Sequence, residues 1–234
     1  MSRKLSGLVA AVAAVAVAWP TPADAYTTRI HIALANELRE SLIASGDGRI
    51  ALRMGPHAVR LSDEDARAII EHPLEFRAGA VGPDNFVFPA MTDPTHAIGM
   101  RPFDQCELLY QAALTGEERA YALGCFLHGA TDAVAHHAVN AFTGETFTLN
   151  PLAHGRQHAW DNVVHHIVTE AAIQSAAARL APDRFAAFQL QHRLPRGYIL
   201  RAYFDETSPL WLSMSHHARA RLEAARGANP SATL

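Results

Sequence analysis

Three ionisable side chains stand four residues apart in the stretch Phe-Leu-His-Gly-Ala-Thr-Asp-Ala-Val-Ala-His-His: His128, Asp132 and His136. On an α-helix, at about 100° per residue, they fall within roughly 80° of arc. The residues between them are small or apolar, so the stripe is costly to bury unless something inside pairs with it. Imidazole and carboxylate are ordinary ligands of a divalent cation, and a helix offers them on one face at spacings of three or four. The chain carries fourteen histidines, an excess that hints at metal or proton chemistry. His57, His72, His192, His216 and His217 belong to no such pattern and are read as surface residues.

Further donors recur along the chain. His154, His158, Asp161 and His165 form one narrow helical stripe, and Asn162, His166 and Glu170 form a second stripe beside it. His31 follows shortly after Tyr26 in Tyr-Thr-Thr-Arg-Ile-His, and Asp84 and His96 lie in a segment rich in proline and glycine. Any one His-x-x-x-Asp pair arises often by chance as a surface pair or helix cap. Clusters on two helices, an early histidine and an Asp/His loop are together hard to dismiss as chance.

Helices must position these donors. Helical periodicity covers 28–44, 62–72, 104–114, 116–137, 152–180 and roughly 182–192, with a further pair over 198–206 and 208–225. Ser62, ahead of Glu64 and Asp65, and Thr115, ahead of Glu117 and Glu118, read as N-caps, and Asn150-Pro151 reads as a helix start. Residues 73–103, with prolines and glycines throughout, read as one long functional loop. The expectation is a single all-α domain over 26–226, a helical bundle, with a flexible tail at 227–234.

The first residues carry a different message. Arg3 and Lys4 precede an apolar run from Leu8 to Trp19 and then Ala23-Asp24-Ala25, the pattern of a signal peptide over 1–25 with cleavage before Tyr26. The run is too short to span a bilayer. The expected location is therefore periplasmic or secreted. There, Cys106 and Cys125 pair as a disulfide or remain as two buried thiols on neighbouring helices. A formal net charge of −3 and a single lysine leave no basic patch for nucleic acid.

This pattern resembles the zinc-dependent phospholipase C family and, more distantly, the single-strand-specific nucleases of the same superfamily. The resemblance covers most of residues 26–170 and implies an all-α bundle holding up to three zinc ions. By position it implies ligation by Tyr26 through its α-amine and carbonyl, and by His31, Asp84, His96, His128, Asp132 and His136. The last ligand pair departs from the family pattern, and three registers compete: His154 with His158, His158 with Asp161, and His166 with Glu170. The 154–158–161 stripe, directly after Pro151, is preferred.

The activity so implied is hydrolysis of a phosphodiester by a hydroxide held between the metals, with Asp84 also able to orient or deprotonate the nucleophile. A phospholipid is the expected substrate, with Phe86, Phe88 and Met91 offering an apolar mouth and transient contact with a membrane surface. Nuclease-like hydrolysis and a non-catalytic metal-binding relative are the alternatives. No stable protein partner is inferred.

Overall fold

The computed structural model describes residues 26–45, 51–54, 57–85, 102–143, 156–216, 219–220 and 223. The segment 1–25 read as a signal peptide and the tail expected at 227–234 lie outside them. The chain is all-α, in the order α1 (Tyr26–Ala44), α2 (Asp63–Glu71), α3 (Pro73–Asn85), α4 (Pro102–Ala112), α5 (Gly116–Thr143), α6 (Arg156–Leu180), α7 (Arg196–Phe204) and the short α8 (Pro209–Ser213). Between α1 and α2 lies a two-stranded antiparallel hairpin, β1 (Ala51–Met54) with β2 (His57–Arg60), in which Ala51 faces Arg60 and Met54 faces His57. The helical reading of the sequence did not anticipate these strands, which are too short to change the class.

Local chemistry explains the helix boundaries. Ser62 Oγ accepts from the Asp65 backbone N–H at 3.1 Å, and Thr115 Oγ1 accepts from that of Glu118 at 3.3 Å, so both caps expected from sequence form. Pro73 opens α3 immediately after His72, a position where a proline loses no helical hydrogen bond.

Here the structure corrects the long loop expected over 73–103, because residues 73–85 are helical. Gly79 is not a breaker. A Cβ on Gly79 would stand 1.9 Å from the Tyr121 carbonyl oxygen, and one on Gly124 would stand 2.2 Å from the Phe76 carbonyl oxygen. Glycine is required at this crossing so that the α3 and α5 backbones can touch, and the two helices form the most extensive contact among the described elements.

α5 is the axis of the fold. Tyr121, Ala122 and Cys125 enter one apolar cluster with Leu109, Tyr198, Ile199, Tyr203 and Leu210. Ala120 enters another, with Ala35, Leu42, Ile69 and Phe76. Cys106 and Cys125 are joined as a disulfide that ties α4 to α5, which resolves that alternative. The part of α5 before His128 is thus fixed on two sides, while the part from His128 onward carries the histidines and the aspartate.

Residues 182–192, expected as a helix, instead form two 3-10 turns, Pro182–Phe185 and Ala187–Leu190. Their strap is pinned by Asn36 Nδ2 donating to the Gln189 carbonyl at 3.1 Å and by Arg193 Nε donating to the buried Glu75 carboxylate at 2.5 Å. Extended backbone at Met214 interrupts the helix expected over 208–225. Of the histidines read as surface residues, His192 and His216 are exposed and His72 is half-buried. No described helix is long and apolar enough to cross a membrane.

Candidate metal centre

Three elements bring the first group of donors together. His128 and Asp132 sit one turn apart on α5, and α1 contributes His31, which stacks on His128 with ring centroids 4.2 Å apart. His128 Nε2 lies 3.1 Å from Asp132 Oδ2, and His31 Nε2 lies 3.2 Å from Asp132 Oδ1. From α3, the Ala80 carbonyl oxygen stands 3.0 Å from His128 Nδ1. A carbonyl can only accept, so Nδ1 carries the proton and Nε2 keeps its lone pair for the centre. The glycine crossing of α3 on α5 is what brings that carbonyl within reach.

The second group lies one turn further along α5. His136 Nε2 is 3.8 Å from Glu170 Oε1, and His166 Nε2 is 2.8 Å from the same oxygen, with both partners on α6. The His136 and His166 rings meet edge to face at 5.1 Å between centroids. Within each group the donor atoms all lie within 4.8 Å of one another, so both could hold a metal ion. Bonds of about 2.1 Å place the donors of a tetrahedral zinc ~3.4 Å apart, close to the N···O separations here.

Electrostatics supports a cation at the first group. Burial raises the Asp132 pKa, but the His128 and His31 rings outweigh it and hold the carboxyl well below the usual carboxylate range. Asp132 is an anion facing two imidazoles. Yet Asp132 Oδ1 and His31 Nδ1 are buried without a hydrogen-bond partner, and so are Thr28 Oγ1 and Gln174 Oε1. Buried polar atoms are rarely left so. Each of these four belongs to a candidate ligand or to a residue one helical turn from one. A cation bound between Asp132 and the imidazoles would satisfy the carboxylate, so the donor set fits a divalent metal.

Of the residues proposed from sequence, the structure gathers His31, His128 and Asp132, and separately brings His136 to His166 and Glu170. Of the three registers for the final pair, His166 with Glu170 is the one whose side chains are described, and it meets His136. His158 and Asp161 are in the first turns of α6, Asp84 is in the last turn of α3 and Tyr26 begins α1; the side chains of these four lie outside the described residues. His96 and His154 lie outside them altogether.

Sequence reasoning missed the Ala80 carbonyl, Thr28 and Gln174. The small residues Gly79 and Gly124 were the available signal for the close crossing that delivers Ala80.

No family model, curated protein or solved structure matches the chain. Its chemistry is therefore read from its own donors.

Proposed function

We propose that this chain is an exported zinc-dependent phosphodiesterase of the phospholipase C type. The observation that supports it most is the pairing of two three-donor groups, His31/His128/Asp132 and His136/His166/Glu170, along one face of α5. Structural zinc sites are closed by four protein ligands, whereas three leave a position for water or substrate. Two such groups side by side suit a phosphodiester, in which charge develops on both the attacking and the leaving oxygen. When bound, zinc supplies the Lewis acidity that yields a hydroxide nucleophile near neutral pH and neutralises the phosphoryl oxygens.

The chain's own residues have distinct parts in this reading. His128, locked by Ala80, and the buried His31 fix the floor of the centre. Asp132 and His136, both partly exposed, form its open side. Asp84, one turn beyond Ala80 on α3, is assigned as the group that orients the nucleophile or takes its proton. Tyr26, Asp84 and His96 complete the ligand set that the resemblance implies, with up to three zinc ions. The Cys106–Cys125 disulfide agrees with an oxidising compartment outside the cytoplasm.

Parallel assays on phosphatidylcholine mixed micelles and on single-stranded DNA, using zinc-loaded protein, test the proposal. Release of the phosphorylated head group, abolished by chelation and restored by zinc, is expected. Hydrolysis of DNA alone would replace the lipid substrate with a nucleic acid. Zinc binding without hydrolysis of either would leave a non-catalytic metal protein.

A further inference from the structure

His31 is 1% exposed, and its Nε2 approaches Asp132 at 3.2 Å. For Nε2 to offer a lone pair to a cation, the ring proton must sit on Nδ1. Ligating histidines ordinarily give that second N–H to a carboxylate, a carbonyl or a water, which fixes the ring. His128 does so through Ala80. His31 Nδ1 is buried and has no hydrogen-bond partner.

One turn earlier on α1 stands Thr28, 5% exposed, with its hydroxyl oxygen buried and also unpartnered. Residues three apart on a helix are neighbours on one face. Thr28 and His31 begin the buried stripe that continues through Ile32, Ala35 and Leu42. A threonine inside a helix can close its hydroxyl onto the carbonyl four residues back, but Thr28 is in the first turn of α1, and that carbonyl precedes the helix. A buried imidazole nitrogen and a buried hydroxyl therefore stand one turn apart on one helix face, neither with a hydrogen-bond partner. Proteins fill such places with an internal water.

We propose that Thr28 is a positioning residue of the metal centre: one ordered water accepts from His31 Nδ1–H and donates to Thr28 Oγ1, holding Nε2 unprotonated and turned toward Asp132. The assignment rests on the reading of His31, His128 and Asp132 as cation ligands. It adds to that centre a hydroxyl outside its His, Asp and Glu donors.

Thr28→Val removes the hydroxyl at nearly constant volume, and Thr28→Ser retains it. Zinc affinity of the full chain is measured by competition with a chromophoric chelator. The His31 tautomer is read from imidazole ¹⁵N shifts of zinc-loaded protein, and the melting midpoint is measured in EDTA. Thr28→Val is expected to weaken one zinc per chain by about 10- to 100-fold and to mix the two His31 tautomers. The metal-free melting midpoint should stay close to the parent's, because the methyl that replaces the hydroxyl offsets the lost hydrogen bond to water. Thr28→Ser should bind zinc close to the parent.

Unchanged affinity in Thr28→Val overturns the assignment while leaving the metal reading intact. So does a metal-free melting midpoint that falls along with affinity, or a Thr28→Ser variant as weak as Thr28→Val, since either shows a packing role. A parent chain that binds no zinc overturns the metal reading and this assignment together.

Discussion

His31 Nε2 and Asp132 Oδ1 meet at 3.2 Å, one carried at the start of α1 and the other deep in the second half of α5. The contact joins the two ends of the sequence pattern that first suggested a metal. It also sets two buried imidazoles on one half-buried carboxylate, an arrangement that asks for a further cation. Asp132→Asn keeps the shape and removes the charge, so it should cut zinc affinity at least as strongly as loss of an outer-shell partner, by more than about 10-fold. Chelator competition measures the change, and parent-like affinity would remove Asp132 from the ligands.

The choice between ligand registers on α6 is open to the same measurement. His166→Ala should lose one zinc per chain, because His166 sits 2.8 Å from Glu170 and beside His136. His154→Ala should retain the zinc that His166→Ala loses. The opposite pattern would restore the stripe that follows Pro151.

How much of this was legible beforehand differs from residue to residue. The α5 stripe was plain, because offsets of four on one helix need only periodicity to be seen. Bringing His31 to it relied on the resemblance, since no local rule links residues so far apart in sequence. The caps at Ser62 and Thr115 were legible because their bonds are local. α3 was hidden by its glycines and prolines: Gly79 is there for contact with the Tyr121 backbone, and contact across helices leaves no local period. That His166 and Glu170 meet His136 is a tertiary fact, which the spacing along α6 does not carry. Thr28 carried no signal at all, since a threonine in a first helical turn is unremarkable until its burial is known.

The glycine crossing predicts a large penalty. Gly124→Ala places a methyl 2.2 Å from the Phe76 carbonyl oxygen and 2.7 Å from the Ala80 nitrogen, both backbone atoms that cannot swing aside. Forcing α3 from α5 should cost about 3 kcal/mol, read as a lower urea midpoint. Zinc affinity should fall too, because Ala80 would move from His128. A variant as stable as the parent would show that the helices are not in such close contact.

Acid stability should depend on Asp65. Burial raises its pKa, but hydrogen bonds from Ser62, Tyr110 and Arg119 outweigh that, and the folded value lies below the ordinary one. A carboxyl of this kind contributes stability in full above its unfolded pKa, about 3.9. That contribution disappears as the pH falls from about 4 through the lower folded value. Asp65→Asn should therefore be less stable at pH 7 and lose less on acidification, as followed by urea midpoints from pH 6 down to pH 2. Parallel curves for parent and variant would contradict this.

Zinc counting by elemental analysis, on full-length protein dialysed free of loose metal, tests the donor groups most directly. At least two zinc ions per chain are expected, with one fewer in His128→Ala and one fewer in His166→Ala, each variant still folded by circular dichroism. A folded parent that retains no zinc, or variants that retain the parent's full complement, would mean that these six residues do not form a metal centre.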